Sequence, residues 1–375
     1  MSGITAGAEP PTQPEQMKQV LQGHFGTVTT LAVQPQRVNG QMLMVSGSND
    51  KTLRVWDAHD GHPLATLSGH SKWLQAVVFT PTGQLLASGS DGRGVRIWDG
   101  RTGQTLHRLR GHTSRTEKLA FRADAVQLAS AGWDKTARIW DVRQAQSLLT
   151  LRGHSEPVVT CVIAQSASGG AIAATGSLDQ TMRLWDAESG NGIAHCHGHH
   201  DRVAALAFDS QATLLASGGW DRRIGLWDTK SGHLLRFLEG HTSPIESVAF
   251  HPNGHWLASA SWDRSVRMWD VYTGQLIHVM QAHTNGLEMV AFSPDGRLLA
   301  SCACDQQVCV WDVQTGRLLH TLRGHTRWVR CIAFSPDSSL LASGSDDGSI
   351  NLWDVTAEGN GGVCSPPRWK TPTPA

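Results

Sequence analysis

Histidine, serine, aspartate and tryptophan recur together along this chain at nearly fixed distances, and these side chains could in principle catalyse hydrolysis. A Ser or Thr lies ten residues before each of eight Trp residues, and an Asp lies six residues before seven of them. A Ser activated by His and Asp is the nucleophile of many hydrolases. The recurring Trp residues are Trp56, Trp98, Trp140, Trp185, Trp227, Trp269, Trp311 and Trp353.

The number of copies favours a structural role for these residues. Catalysis needs one activated nucleophile and an oxyanion site, whereas here the same set occurs eight times. Buried polar groups need partners, and a complete hydrogen-bonded network makes a small sheet rigid. The second copy departs from the pattern, because Gly92 holds the Asp position and Asp91 comes one residue early. We therefore expect its network to be incomplete or rearranged.

A group of cysteines is the second candidate for chemistry. Cys302, Cys304, Cys309 and Cys331 could be read as metal ligands. Each of them takes a regular position of the repeat, so we expect core residues, with no metal and no cofactor. The chain has seven Cys at irregular spacing, which argues against a disulfide framework and fits a reducing compartment.

The elements that position these side chains are eight copies of one unit. The step between neighbouring repeat Trp residues is 42, except for 45 between Trp140 and Trp185. A fixed period of this size indicates a single repeat array rather than several domains. In the last copy WVRCIAF, LLASGS and INLWD are apolar strand patterns separated by turns, and segments such as RLLHTLRG supply a fourth strand. Units of this kind bury their faces by packing radially on one another.

On these residues the chain resembles the WD-repeat β-propeller family, over about residues 16 to 355. The resemblance implies an all-β, eight-bladed propeller with four antiparallel strands per blade. It also implies that each His, Ser or Thr, Asp and Trp set forms a buried structural network. In the sixth and eighth copies these residues are His241, Ser259, Asp263 and Trp269, and His325, Ser343, Asp347 and Trp353. Extra residues at 35–41 and 165–170 are expected between first and second strands.

The two ends of the chain are expected to complete the ring. No fourth-strand pattern follows the last Trp-Asp, whereas QMKQVLQG at residues 16–23 is a strand pattern without a sheet. We expect this segment to complete the eighth blade, which removes a free edge that could promote aggregation. The predicted propeller covers residues 15–356, and residues 1–14 and 357–375 are predicted to be disordered tails.

The positions at which the copies differ predict a binding face. In propellers of this family one face presents the residue before the turn Asp and residues that flank the first apolar position of the first strand. Four successive copies place Trp133, Leu178, Trp220 and Trp262 before that turn position. The flanking positions add Trp73, Trp328, Arg115, Arg202, Arg330, Glu117, Glu246 and Glu288. An exposed apolar arc with aromatic and Arg members is typical of a binding hot spot. The alternative is that these Trp rings fold over their own turns.

Composition limits the classes of partner. The formal net charge is zero and the pI is near 7.3, so no overall field attracts nucleic acid or an anionic membrane. No signal-peptide pattern and no apolar run of about 18 residues is present. We expect a non-enzymatic, monomeric, cytoplasmic scaffold that binds a protein or peptide, and the three glutamates would suit a peptide bearing Lys or Arg. The alternative is an enzyme or regulatory domain that uses the central channel.

Overall fold

The computed structural model describes residues 16–37, 40–166 and 169–356. These residues form eight four-stranded antiparallel sheets, and each sheet is one blade of a closed ring. The prediction of an all-β, eight-bladed propeller is confirmed. No helix that is long and apolar enough to cross a membrane occurs in the described ranges. The predicted tails at 1–14 and 357–375 lie outside these ranges.

The strands fall into four classes by their place in the blade. The innermost strands are β2 (Val28–Val33), β6 (Leu74–Phe79), β10 (Thr116–Phe121), β14 (Val158–Gln165), β18 (Val203–Phe208), β22 (Ile245–Phe250), β26 (Leu287–Phe292) and β30 (Val329–Phe334). The second strands are β3 (Leu43–Ser48), β7 (Leu85–Ser90), β11 (Gln127–Gly132), β15 (Ala171–Ser177), β19 (Leu214–Gly219), β23 (Trp256–Ser261), β27 (Leu298–Ala303) and β31 (Leu340–Ser345).

The third strands end in the repeat Trp-Asp, and the outer strands follow them. The third strands are β4 (Leu53–Asp57), β8 (Gly94–Asp99), β12 (Thr136–Asp141), β16 (Met182–Asp186), β20 (Ile224–Asp228), β24 (Ser265–Asp270), β28 (Gln307–Asp312) and β32 (Ile350–Asp354). The outer strands are β5 (Pro63–Leu67), β9 (Thr105–Arg110), β13 (Gln146–Arg152), β17 (Gly192–Cys196), β21 (Leu234–Leu238), β25 (Leu276–Gln281), β29 (Leu318–Arg323) and, for blade 8, β1 (Met17–Leu21).

The hydrophobic core lies between neighbouring blades. In one cluster Ile224 and Leu226 of blade 5 pack with Ile245, Val248 and Trp269 of blade 6. The second strands carry almost continuous buried runs, because both of their faces are covered by adjacent blades. A single blade could not bury these faces, so the stability of each blade depends on its two neighbours.

The ring closes as the sequence predicts. Strand β1 pairs antiparallel with β32, with Leu21 opposite Ile350, and thereby completes blade 8. The innermost strands of blades 1 and 8 pack against each other. The two insertions also lie where the sequence places them, between β2 and β3 and between β14 and β15.

Each innermost strand contains a β-bulge directly after its first residue. In β22, for example, Ile245 pairs with Ser261 and Ser247 with Ala260, so Glu246 is the extra residue. A bulge redirects the side chain of its extra residue, and bulges are common next to functional sites. The extra residues are Thr29, Gln75, Glu117, Val159, Ala204, Glu246, Glu288 and Arg330.

Candidate functional site

The recurring polar residues form a hydrogen-bonded chain in seven of the eight blades. In blade 6 the indole N–H of Trp269 donates to Ser259 Oγ at 3.0 Å, and Ser259 Oγ lies 2.7 Å from His241 Nε2. His241 Nδ1 lies 2.8 Å from Asp263 Oδ2. Because a carboxylate only accepts, Nδ1 carries the proton and Nε2 accepts from the serine hydroxyl. The chain therefore runs from Trp through Ser and His to Asp.

Blade 8 has the same arrangement. Trp353 Nε1 donates to Ser343 Oγ at 2.8 Å, and Ser343 Oγ lies 2.8 Å from His325 Nε2. His325 Nδ1 lies 3.1 Å from Asp347 Oδ2. Burial alone would raise the pKa of Asp347, but hydrogen bonds from His325 and Ser349 hold it well below its usual range. The turn Asp is therefore ionised throughout the physiological pH range.

Blade 2 lacks the last member of this chain. His70 Nε2 lies 2.7 Å from Ser88 Oγ, which also accepts from Trp98 Nε1 at 2.8 Å. Asp91 takes the pre-turn position, since its N–H donates to the Trp73 carbonyl as Trp133 N–H donates to Arg115 in blade 3. The Asp91 carboxylate accepts from Gln75 Nε2 at 2.8 Å instead of from histidine. The blade 2 network is incomplete, as the sequence predicts.

The loops before the innermost strands and the turns between second and third strands lie at one end of the blades, here called the upper face. A central cavity of about 690 Å³ opens there. All eight bulge residues line it, together with Trp73, Trp133, Arg115 and Arg202. The bulges thus aim Glu117, Glu246, Glu288 and Arg330 into the mouth of the channel.

The predicted arginines, glutamates and tryptophans form clusters around this mouth. In blade 3 the Arg115 guanidinium lies 4.7 Å from the Trp133 ring centroid, and both side chains hydrogen-bond to Glu117. Arg115 also lies 3.3 Å from Asp91 of blade 2. The Arg115 guanidinium is therefore held between the Trp133 ring and two carboxylates, and this geometry exists without a ligand.

A second cluster joins blades 5 and 6. Arg202 stacks on Trp220 at 3.5 Å from the ring centroid, and the Trp220 indole N–H donates to Glu246 at 2.8 Å. The rings of Trp220 and Trp262 are 5.7 Å apart. Burial raises the pKa of Glu246, Arg202 opposes that shift, and the charge of Glu288 adds to it. This cluster includes the only contact between two Trp rings of the predicted arc among the described residues.

A third cluster joins blades 7 and 8. Arg330 binds Asp346 through two hydrogen bonds of 2.8 and 3.0 Å, and it reaches Glu288 at 3.3 Å. The same guanidinium lies 4.8 Å from the Trp328 ring centroid. Every glutamate named by the sequence therefore has an arginine of this chain as a partner. This pairing does not support the expectation that the glutamates attract a basic peptide.

The tryptophans of the face differ in exposure and position. Trp73, Trp133, Trp262 and Trp328 are exposed, with relative accessibilities of 52%, 39%, 44% and 43%. Trp220 and Leu178 are half-buried. Trp73 and Trp133 line the cavity, whereas Leu178, Trp220 and Trp262 lie outside its lining. The predicted arc thus consists of a pair of rings at blades 5 and 6 and a separate ring at blade 3.

Sequence reasoning missed Lys118, which lines the same channel. Its side chain is exposed, and its charge opposes the upward pKa shift that burial imposes on Glu246 and Cys331 on distant blades. At this register the other copies carry Thr30, Ala76, Thr160, Ala205, Ser247, Met289 and Cys331. A comparison of the copies at this position would have identified the one cation.

Cys302, Cys304, Cys309 and Cys331 are buried, which disfavours their reactive thiolate form. Burial is the main cause that raises the pKa values of Cys304, Cys309 and Cys331 to about 12. The Cys304 thiol donates to Glu288 at 3.3 Å. In the part of the chain that the structure describes, no group of three or more His, Cys, Asp or Glu side chains is arranged to hold a metal ion.

The comparison with protein families decides the class of this chain. Eight segments match the WD domain, G-beta repeat: residues 15–57, 61–99, 103–141, 145–186, 190–228, 232–270, 274–312 and 316–354. The chain belongs to the WD-repeat family. Each segment of this WD-repeat protein ends at the Trp-Asp that closes one third strand.

Individual proteins resemble this WD-repeat chain over different lengths. A 51-residue segment is 45% identical to the Lissencephaly-1 homolog of Schistosoma mansoni, covering 14% of this chain and 12% of that protein. A 56-residue segment is 45% identical to nuclear distribution protein nudF of Aspergillus oryzae, covering 15% and 12%. The chain therefore matches only about an eighth of the length of these curated relatives.

One solved structure resembles this WD-repeat protein over most of its length. The crystal structure of the computationally designed Ika8 protein superposes with a TM-score of 0.79 and 30% sequence identity. The match covers 91% of this chain and all of the designed chain.

Proposed function

We propose that this chain is a non-enzymatic scaffold that binds a protein or peptide on its upper face. The observation that carries the proposal is that every exposed Trp of the described residues lies on this face. Exposed Trp and Arg side chains around a concave centre are typical binding hot spots. The curated relatives match over little more than one repeat each, so the face itself is the basis of the proposal.

The chemistry of the face favours an apolar or aromatic segment as partner. The carboxylates of Glu117, Glu246 and Glu288 are paired with arginines, and they present little free negative charge. The Trp220 and Trp262 rings form a ready apolar surface, and Trp133 lies further along the ring. We infer that a peptide lays its apolar side chains over these rings and crosses the mouth of the channel.

The buried networks support a role in stability rather than in catalysis. The hydroxyl of Ser259 is fully buried, accepts from Trp269 and lies within hydrogen-bond distance of His241. A nucleophile whose lone pair and proton are both engaged, and which no substrate can reach, cannot attack. The same arrangement recurs at Ser343 in blade 8. We propose that His241, Asp263, His325 and Asp347 are structural residues.

The test compares capture of partners by matched variants. Trp220→Ala and Trp262→Ala remove the ring pair, and Tyr272→Ala removes an aromatic ring that is 56% exposed on the opposite face. Quantitative mass spectrometry of proteins captured from the source cells should show a loss of specific partners with the Trp variants only. The loss should exceed about tenfold, since truncating a hot-spot residue typically costs at least 2 kcal/mol. Equal capture by all three variants and the unchanged protein would refute the proposed face.

A further inference from the structure

Blade 2 lacks a carboxylate that the other seven blades share, and the groups that would bind it remain in place. In blade 3 the Asp134 carboxylate lies 3.0 Å from His112 Nδ1 and accepts from the Thr113 N–H at 2.9 Å. In blade 2 the corresponding donors are His70 Nδ1 and the Ser71 N–H. Neither has a hydrogen-bond acceptor among the described residues, because Gly92 has no side chain and Asp91 binds Gln75.

A cavity of about 340 Å³ occupies this place. It is lined by residues 69–71, 90, 92–96 and 108–112, which include four arginines and no Asp or Glu. The arginines are Arg93, Arg96, Arg108 and Arg110. None of them forms a salt bridge with a carboxylate in the ranges that the structure describes. The cavity therefore combines the positive charge of four arginines with two hydrogen-bond donors, His70 Nδ1 and the Ser71 N–H, that have no acceptor among the described residues.

The strand register adds a second, independent indication. Arg96 of β8 lies directly opposite Arg108 of β9. Like charges placed directly opposite across an antiparallel pair are destabilising. Arg54 and Arg138, at the same register in blades 1 and 3, lie opposite Thr66 and Thr150 instead. Blade 2 is thus unusual in adding a cation at the place where it also lacks the carboxylate.

The electrostatics of the histidine follow from this geometry. Burial, with the charges of Arg96 and Arg108, lowers the pKa of His70 to about 3. The pKa of Arg96 is lowered by burial and by Arg108, whereas the carboxylate of Asp134 partly offsets the corresponding shift at Arg138. A negatively charged ligand at this place would supply the missing compensation.

We propose that blade 2 binds a phosphate-type oxyanion in this cavity, where the turn carboxylate lies in the other seven blades. The planar guanidinium groups of Arg96 and Arg108 suit bidentate binding of phosphate oxygens. The Ser71 N–H and His70 Nδ1 donate to the same anion. Phosphate fits better than a monocarboxylate because four cations line the cavity. This site does not depend on the partner face proposed above.

The substitution Gly92→Asp tests the assignment because it places a carboxylate in the cavity. A Cβ atom at Gly92 would lie 3.1 Å from Ser90 Oγ and 3.8 Å from Ser71 Oγ, so only side-chain atoms need to adjust. We expect the unchanged protein to bind inorganic phosphate in calorimetric titrations at constant ionic strength. Gly92→Asp should abolish that binding and should melt at a higher temperature without phosphate.

A second variant keeps the test decisive if Gly92→Asp folds poorly. Arg96→Gln with Arg108→Gln should weaken phosphate binding at least about tenfold, because charge-assisted hydrogen bonds are lost. Arg264→Gln, which changes an exposed turn arginine of blade 6, should leave it unchanged. The proposal fails if the unchanged protein binds neither inorganic phosphate nor a phosphoserine peptide. It also fails if both Gly92→Asp and the double variant Arg96→Gln with Arg108→Gln bind phosphate as tightly as the unchanged protein does.

The anion can come from solution or from a phosphorylated chain, and two probes separate these sources. Inorganic phosphate and a capped peptide of Gly, phosphoserine and Gly are titrated in parallel. Equal affinities indicate a site for the free ion. Tighter binding of the peptide, lost again in Gly92→Asp, indicates a site for phosphoryl groups carried by a polypeptide.

Discussion

The loss of one turn carboxylate should have very different effects in blades 6 and 2, and this contrast tests the role of the networks. The Asp263 carboxylate lies 2.8 Å from His241 Nδ1 and accepts from the Thr242 N–H at 3.0 Å. It also accepts from the N–H of Ser265 at 3.0 Å and from its hydroxyl at 2.6 Å. Asp263→Ala removes one acceptor for four donors.

The cost follows from which donors can reach water afterwards. Thr242 is exposed, so its N–H can bind solvent, whereas His241 and Ser265 are buried. Leaving buried donors unsatisfied costs about 1 to 3 kcal/mol. We therefore expect Asp263→Ala to lower the free energy of unfolding by about 1 to 3 kcal/mol. The Asp91 carboxylate has only half-buried partners at the channel mouth, and Asp91→Ala should cost less than about 1 kcal/mol.

Both variants are compared by thermal melting and by urea denaturation under the same conditions. Blades of a closed ring unfold together when their interfaces are intact, so one transition is expected for each variant. Equal losses of stability for Asp263→Ala and Asp91→Ala would refute the difference between the two blades. A loss at Asp263 below about 0.5 kcal/mol would show that its carboxylate is a surface group.

Three further predictions concern the face, the closure and the acid limit. Alanine at Trp133, Trp220 or Trp262 should change the free energy of unfolding by no more than about 0.5 kcal/mol, whereas Trp269→Ala, at a site only 2% exposed, should lower it by about 3 to 5 kcal/mol. Similar melting of all four variants would identify the face rings as packing residues. Deleting residues 1–23 removes β1 and should cause association or unfolding in ultracentrifugation, whereas deleting residues 1–12 should be harmless. Burial alone would raise the pKa of Asp179, but hydrogen bonds from Thr181 and His154 lower it to about 2. The unfolded value is about 3.9 and the folded value is lower, so the contribution of the Asp179 carboxylate to stability is complete above about pH 4 and should be lost in melting curves as the pH falls from about 4 to about 2.

The periodic part of the chain could be predicted almost completely from its sequence. Turn, strand and Trp-Asp signals recur at a step of 42 residues, and eight consistent copies outweigh any single ambiguous segment. Closure could be predicted because Met17–Leu21 has the pattern of an outer strand and the eighth copy lacks one. The altered second network was visible as Gly92 in place of Asp.

The details of the upper face could not be predicted in the same way. Repeat position indicates which side chains reach this face, but it does not indicate which of them pair across blades. Arg202 belongs to blade 5 and Glu246 to blade 6, and their contact depends on the twist and spacing of two sheets. The stacking of Arg115 on Trp133 likewise depends on rotamers that local sequence does not specify.

Near-identical blades make each departure from the pattern informative, because the other copies act as internal controls. Arg138 in blade 3 and Arg96 in blade 2 occupy the same register and stack at 5.7 Å on equivalent indoles. Only Arg138 has a turn carboxylate nearby, and only Arg96 faces a second arginine across the strands. Like charges directly opposite each other across two strands are destabilising. An anion bound between Arg96 and Arg108 would be contacted by both guanidinium groups and would offset their repulsion. A ligand therefore explains the missing turn Asp and the added Arg108 better than the folding of blade 2 does.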